Sequence, residues 1–145
     1  MQHFLKPAPG TAGTRIIAAE LLEQLLLAAA NGTLADHEPL RWREGAAVVV
    51  VVAAEGYPAR PRTGDPVQGA DAEGVLHAGT ALADDGTVVS SGGRVLAVTA
   101  VGSDLADARR TAYERVAGVR LAGAHWRTDI ALAAVEGRIS PPPPR

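Results

Sequence analysis

A pair of glycines followed by an arginine is the first group of residues that could do chemistry. Gly92 and Gly93 leave backbone N–H groups uncovered, and Arg94 adds a positive charge, so the three could form a nest for a phosphate group. A glycine pair between two strands is also typical of a bulged turn, in which Arg94 would pair with an acidic residue. The sequence leaves both interpretations open.

Two further candidates lie elsewhere in the chain. Arg127 and Asp129 flank Thr128 beside Trp126, so Arg127 could bind an anion, or the two could form a surface ion pair of little energetic weight. Glu55 follows a strongly apolar segment, where it could line a cleft or fix the turn at residues 56–58. The candidate substrate- or anion-binding residues are therefore Glu55, Gly92, Gly93, Arg94, Arg127 and Asp129.

No residue is predicted to be catalytic, and no metal site is predicted. The chain has no cysteine, which excludes disulfides, thiolate zinc sites and cysteine nucleophiles. The histidines His3, His37, His77 and His125 lack the short spacing of a metal-binding pair. There is also no phosphate-binding Walker loop and no hydrolase nucleophile motif.

The composition is that of a folded domain with an unusual core. Hydrophobic residues make up 47% of the 145 residues and aromatic residues only 3%, so alanine, valine and leucine must form the core. The net charge of −2 offers no basic surface for nucleic acid or an anionic membrane. The apolar run at residues 16–30 is shorter than the ~20 residues that span a bilayer, and no signal peptide is visible. A cytoplasmic protein is expected.

The N-terminal part predicts one apolar helix over residues 15–30. Thr14 can cap its start, and Asn31 with Gly32 supplies a left-handed stop. Apolar side chains point in nearly every direction, so most faces of this helix should pack against another surface. These side chains are Ile16, Ile17, Leu21, Leu22, Leu25, Leu26 and Leu27.

The remaining elements predict an α+β fold. Residues 46–54 are rich in valine without alternation, which predicts a central strand covered on both faces. Residues 75–101 predict a three-stranded antiparallel meander whose first turn is a two-residue Asp85-Gly86 turn with positive φ at both positions. Ser103 should cap a helix that packs one face on the sheet. That face carries Leu105, Ala108, Ala112, Val116 and Val119.

We expect the antiparallel sheet to curl into an open barrel-like sandwich with one or two packed helices. Five short motifs then occur in order along the chain. They are Ala54-Glu55-Gly56-Tyr57-Pro58, His77-Ala78-Gly79-Thr80, Asp85-Gly86 with Gly92-Gly93-Arg94-Val95-Leu96-Ala97-Val98-Thr99 and Gly102, Ala108-Arg109 with Ala112-Tyr113, and Trp126-Arg127-Thr128-Asp129-Ile130. Their order and spacing resemble the C-terminal domain of the phosphoribosylamine–glycine ligases, members of the ATP-grasp superfamily. Residues 25–34 resemble the helix that precedes this domain.

The resemblance implies an enzyme that joins glycine to phosphoribosylamine with ATP and magnesium, through a glycyl phosphate. The C-terminal domain would form one wall of the cleft and supply arginine and backbone donors to anionic groups. The resemblance also divides the chain into a lead-in and helix remnant of the ATP-grasp part (1–33), a linker (34–45), the ligase C-terminal domain (46–137) and a proline-rich tail (138–145).

Two departures from the family pattern shape the functional prediction. The family stretch Glu-Phe-Asn-x-Arg-Phe-Gly-Asp-Pro-Glu, whose Glu and Asn hold magnesium, is not matched by residues 1–10, and the nucleotide-binding lobes are missing. The family's Asp-Ile-Gly reads Asp129-Ile130-Ala131, which implies a locally changed turn if that glycine has a positive φ.

A separated piece of the ligase, not catalytic alone and without a cofactor of its own, is therefore expected. The alternative is a stand-alone binding or assembly module of the same fold. In either case the expected partners are separate ATP-grasp lobes, or a second copy that forms a homodimer through the helix at residues 15–30.

Overall fold

The computed structural model describes residues 19–37 and 44–139. The helices are α1 (Ala19–Ala30), a short 3-10 helix (Leu34–Asp36), α2 (Leu105–Gly118) and α3 (Leu132–Val135). The strands are β1 (Ala46–Ala53), β2 (Val75–His77), β3 (Thr80–Leu82), β4 (Val88–Ser90) and β5 (Arg94–Gly102). Several predictions fall outside the described residues. They concern the stretch at residues 1–10, the Thr14 cap, the start of the predicted helix, part of the linker and most of the proline-rich tail.

β5 is the middle strand of a three-stranded antiparallel sheet with the order β1-β5-β2. Val50 lies opposite Val98 on one side of it, and Leu76 lies opposite Ala97 on the other. The prediction that residues 46–54 form a central strand covered on both faces is therefore wrong. β1 is an outer strand of this sheet, and its Val51 side chain is 41% exposed.

The core lies between one face of this sheet and α2. Val50 and Val52 of β1 are completely buried, as are Leu96 and Val98 of β5. The predicted apolar face of α2 is confirmed, because all of its residues are buried and belong to the same core cluster. They are Leu105, Ala108, Ala112, Val116 and Val119. Small aliphatic side chains let the helix and the sheet approach closely, as the composition indicates.

β2, β3, β4 and β5 do not form the predicted three-stranded meander. β2 pairs directly with β5, and β3 pairs with β4 in a separate two-stranded sheet. The chain leaves the first sheet at Gly79, whose N–H donates to the carbonyl oxygen of Arg94 at 2.8 Å. A Cβ atom at Gly79 would lie 2.7 Å from that oxygen, so only glycine fits this crossing. The α+β class is confirmed, with two antiparallel sheets instead of one meander.

The turn between β3 and β4 is also longer than predicted. Ala83 donates to the carbonyl of Thr87 at 2.9 Å, and Gly86 donates to the carbonyl of Ala83 at 2.9 Å, which leaves a three-residue loop. Gly86 has a φ of 82°, whereas Asp85 is not among the residues of positive φ. The Asp85 carboxylate accepts a hydrogen bond from the Thr87 N–H at 2.8 Å and so stabilises this three-residue loop.

The ends of the helices follow their capping residues. Asp104, and not the predicted Ser103, caps α2, since its side chain accepts a hydrogen bond from the Asp107 N–H at 2.8 Å. The Asp107 carboxylate accepts in return from the Ser103 N–H at 3.1 Å, which shows why the two positions are easily confused. The predicted stop of α1 is confirmed: Gly32 has a φ of 70° and the Thr33 N–H reaches the carbonyl of Ala28 at 2.8 Å.

α1 leaves much of its apolar surface open. Leu22, Leu26 and Leu27 are 44%, 61% and 64% exposed. Within the described residues, the element with which α1 makes its main contacts is the adjoining 3-10 helix. None of the helices in this part of the chain is long and apolar enough to cross a membrane.

Candidate functional site

The end of β1 brings the glycine pair and the turn after the strand together. The Ala54 N–H donates to the carbonyl of Gly93 at 2.9 Å, and the ring of Tyr57 lies directly against the Gly93 Cα. Any side chain at position 93 would collide with that ring. Gly56, with a φ of 78°, turns the chain so that Tyr57 can reach this position.

Gly92 and Gly93 allow chain segments to cross closely. A Cβ atom at Gly92 would lie 3.4 Å from the Cα of Gly79, and neither Gly92 nor Gly93 has a positive φ. The strand register jumps between Val52–Leu96 and Ala53–Arg94, so one residue of β5 bulges next to the glycine pair. The bulge and the crossing account for both glycines structurally, and anion binding by their N–H groups stays a prediction.

Arg94 is an exposed cation beside an open depression. Within the described residues its side chain makes no ion pair and no hydrogen bond, so the acidic partner expected for a purely structural arginine is not there. The depression measures about 500 Å³. It is lined by Val51, Ala78, Gly79, Gly93, Arg94, Leu96 and Ala97. A planar guanidinium at the rim of such a depression can bind a carboxylate or a phosphate through two parallel hydrogen bonds.

Glu55 is engaged in fixing the loop that follows β1. Its carboxylate forms an ion pair with Arg62, and its carbonyl accepts from the Arg62 N–H at 2.8 Å. The Arg62 side chain also donates to Asp65 at 2.6 Å, and this bond, with the neighbouring carboxylates, raises the pKa of the Arg62 guanidinium. Gly123 lies so close to Glu55 that a Cβ there would be 2.7 Å from the Glu55 side chain. A role for Glu55 in a cleft stays a prediction.

Arg127 and Asp129 pair with each other. The Arg127 Nε and Nη2 atoms donate to the two carboxylate oxygens of Asp129 at 2.9 and 2.7 Å. These bonds raise the pKa of Arg127 and lower that of Asp129. Both side chains are more than half exposed, so the pair is accessible to a ligand but already neutralised. An anion would therefore compete with Asp129 for Arg127.

Two side chains of α2 hold the loop that carries this ion pair. Arg109 donates to the carbonyls of Thr128 and Ile130 at 2.7 and 3.0 Å. The Tyr113 hydroxyl donates to the carbonyl of Arg127 at 2.7 Å and accepts from the Ile130 N–H at 3.1 Å. The Arg109 guanidinium also stacks 4.6 Å from the centre of the Tyr113 ring. The sequence did not predict that Arg109 and Tyr113 hold this loop. The signal that could have indicated it is their spacing of one helical turn within one of the five motifs.

Ala131 ends the same loop in a left-handed conformation, with a φ of 62°. It is the N-cap residue of α3, and the Val135 N–H donates to its carbonyl at 3.0 Å. Position 131 thus has the left-handed geometry that favours glycine, although the residue is alanine. A changed turn relative to the family stays a prediction.

Two groups of candidate residues lie on either side of the end of β1. Ala53 pairs with Arg94 on one side and exchanges two backbone hydrogen bonds with His125, at 2.9 and 3.0 Å, on the other. The Gly92-Gly93-Arg94 turn and the segment that leads to Arg127 thus flank the same strand end. No hydrogen bond or ion pair of the described residues joins Glu55, Arg94 and Arg127 to one another.

The architecture defines a small α+β domain in which a helix covers one face of an antiparallel sheet. Residues 47–133 match the family described as "Phosphoribosylglycinamide synthetase, C domain", and the chain belongs to this family. The predicted resemblance is confirmed.

The relatives that the chain matches are much longer than the chain. It is 58% identical over 132 residues to the phosphoribosylamine–glycine ligase of Mycobacterium tuberculosis, covering 91% of this chain and 31% of that protein. The ligase of Mycobacterium leprae is 56% identical over 133 residues, covering 90% of this chain and 32% of that protein. A crystal structure of the Thermotoga maritima ligase superposes with a TM-score of 0.67 at 39% identity, over 76% of this chain and 27% of that one.

Proposed function

We propose that this chain is the C-terminal portion of a phosphoribosylamine–glycine ligase, which joins glycine to 5-phosphoribosylamine at the expense of ATP. The observation that carries the proposal is the 58% identity over 132 residues to one part of such a ligase. The remaining two thirds of the relatives' length would supply the nucleotide site. The chain alone would therefore not be catalytic.

Among residues 19–37 and 44–139, no group of three or more acidic or histidine side chains is placed to hold a metal ion such as magnesium. ATP and magnesium belong in this proposal to the rest of the ligase.

In the assembled enzyme, the proposed role of this chain is to form one wall of the active-site cleft. The exposed and unpaired Arg94, at the edge of its depression, would bind an anionic group of a substrate or an intermediate. Such a contact contributes by positioning and by charge stabilisation, the main contributions in phosphoryl transfer. We also propose that the two sheets curl into an open barrel-like sandwich behind this wall. This is supported by the Ser91 N–H, just after β4, which donates to the carbonyl of Gly79, between β2 and β3, at 2.8 Å.

Complementation of a purine-auxotrophic strain tests the assignment. The chain should restore growth only when the N-terminal lobes of a related ligase are expressed with it. Growth with the chain alone would contradict the proposal that catalysis needs the N-terminal lobes. Growth with the lobes alone would show that this chain contributes nothing to the reaction.

The role of Arg94 is tested separately on the reconstituted ligase. Arg94→Ala should raise KM or lower kcat by about tenfold or more, because the positive charge that binds the anionic group is lost. Arg94→Lys keeps the charge and should retain part of the activity. Arg110→Ala is the matched control, because Arg110 is an exposed arginine paired with its helical neighbours Asp107 and Glu114. Equal kinetics for Arg94→Ala and the wild type would remove Arg94 from the cleft.

A second candidate function is a stand-alone binding or assembly module that kept the fold. The exposed leucines of α1 favour it, because large apolar patches usually mark an interface. Complementation separates the two candidates, since a module of this kind would not restore growth with any set of lobes.

A further inference from the structure

The face of the β1-β5-β2 sheet that points away from α2 is apolar and open. Leu76 of β2, Ala97 of β5 and Val51 of β1 lie side by side across the three strands. Leu76 is 56% and Val51 41% exposed, and Val101 on the same face of β5 is 46% exposed. The hydroxyl of Thr99, which lies between them, is taken up by the carbonyl of Gly74 at 3.0 Å. The exposed side chains of Leu76, Val51 and Val101 thus form an apolar surface on this sheet face, which ends at the buried Ala47.

α1 of the same chain presents a second exposed apolar surface. Leu22 and Leu26 are one helical turn apart on α1, next to Leu27, and all three are exposed. α1 makes its main contacts with the 3-10 helix, so in the described structure it does not cover its own sheet face. A helix of 12 residues is about 18 Å long, enough to cross three strands.

The charges of the two surfaces are complementary. The charged residues of α1 are Glu20 and Glu23, both acidic. The sheet face is bordered by Arg94, whose guanidinium has no partner within the described residues. An acidic helix laid on this face would bring a carboxylate to an unpaired arginine.

We propose that the sheet face binds α1 of a second copy of this chain, with the same contact made in return across a twofold axis. A twofold arrangement closes, because each copy offers one helix and one face. The reciprocal contact also doubles the buried area, which a single short helix would leave below the ~800 Å² per partner of a stable interface. This inference does not depend on the ligase assignment.

Disulfide trapping tests the pairing directly, because the chain has no cysteine of its own. Leu26→Cys and Val51→Cys are made in separate chains, mixed and oxidised. A mixed Leu26→Cys/Val51→Cys dimer should form in clear excess over either symmetric dimer. Leu82→Cys replaces Val51→Cys as the control, since Leu82 is 74% exposed but lies on the other sheet. A symmetric Leu26→Cys dimer as the main product would show a helix-to-helix contact and overturn the proposal.

Light scattering on the full chain gives the second measurement. The wild type should be a dimer at high micromolar concentration, and Leu22→Glu/Leu26→Glu or Leu76→Glu should each raise the dissociation constant about tenfold or more. Leu82→Glu should leave it unchanged. A monomeric wild type, or a Leu76→Glu variant that is folded and still fully dimeric, would overturn the proposal. If a charged variant fails to fold, disulfide trapping between Leu26→Cys and Val51→Cys is the test of the proposal.

Discussion

Ala131 shows how a single side chain can work against the backbone conformation it occupies. Its φ of 62° places a Cβ atom where L-residues other than asparagine and aspartate pay about 1–2 kcal/mol. The surrounding bonds, among them those made by Arg109 and Tyr113 to the preceding loop, hold it there. The loop therefore tolerates a residue that its own backbone disfavours.

Ala131→Gly should relieve this strain and raise the free energy of unfolding by about 0.5–1 kcal/mol, net of the greater freedom of glycine in the unfolded chain. Urea unfolding measures the change. Ala133→Gly, inside α3, is the control and should lower stability by a similar amount. A fall in stability for Ala131→Gly would mean that the alanine side chain contributes packing that outweighs the strain.

At the scale of elements, the sequence predicted what depends on near neighbours. The valine run of β1, the left-handed stop at Gly32 and the buried face of α2 are all encoded within a few residues. Strand pairing was predicted less well, because it depends on contacts between distant segments. Alternate valines of β1 differ in burial only because α2 covers one face of the sheet, and no local pattern shows this.

The candidate site follows the same rule. The Arg127–Asp129 pair lies within two residues and was one of the predicted alternatives. The pairing of Glu55 with Arg62 was not predicted, because it depends on the path of the loop after Gly56. The contacts that Arg109 and Tyr113 make join residues 21 and 14 positions apart, so only the folded structure reveals them.

Tyr113→Phe tests how far α2 positions the loop at residues 127–130. The variant removes a hydroxyl that both donates and accepts, so stability should fall by about 1 kcal/mol and the Ile130 amide should exchange faster with solvent. Hydrogen exchange and urea unfolding measure the two effects. Tyr57→Phe is the matched control, since the Tyr57 hydroxyl has no hydrogen-bond partner in the described part of the chain. Unchanged exchange at Ile130 would show that Arg109 alone holds the loop.

At the scale of the whole molecule, one surface can bind only one partner at a time. Arg94 borders both the depression proposed for an anionic substrate and the sheet face proposed for a second copy. If the ligase assignment and the dimer are both right, the assembled enzyme and the homodimer are alternative states of this chain. N-terminal lobes added to the chain should then lower the fraction of homodimer.

The same reasoning predicts where nucleotide binds. The chain covers 31% of the length of the Mycobacterium tuberculosis ligase, and its described residues contain no cluster suited to magnesium. Calorimetry should therefore detect no magnesium-dependent ATP binding to the chain alone in the millimolar range, because no metal bridges the phosphates and Arg94 is a single exposed cation. Binding should appear with the N-terminal lobes and persist in Arg94→Ala if that residue contacts only the other substrates. A micromolar affinity for the chain alone would contradict the assignment of the nucleotide site to the rest of the ligase.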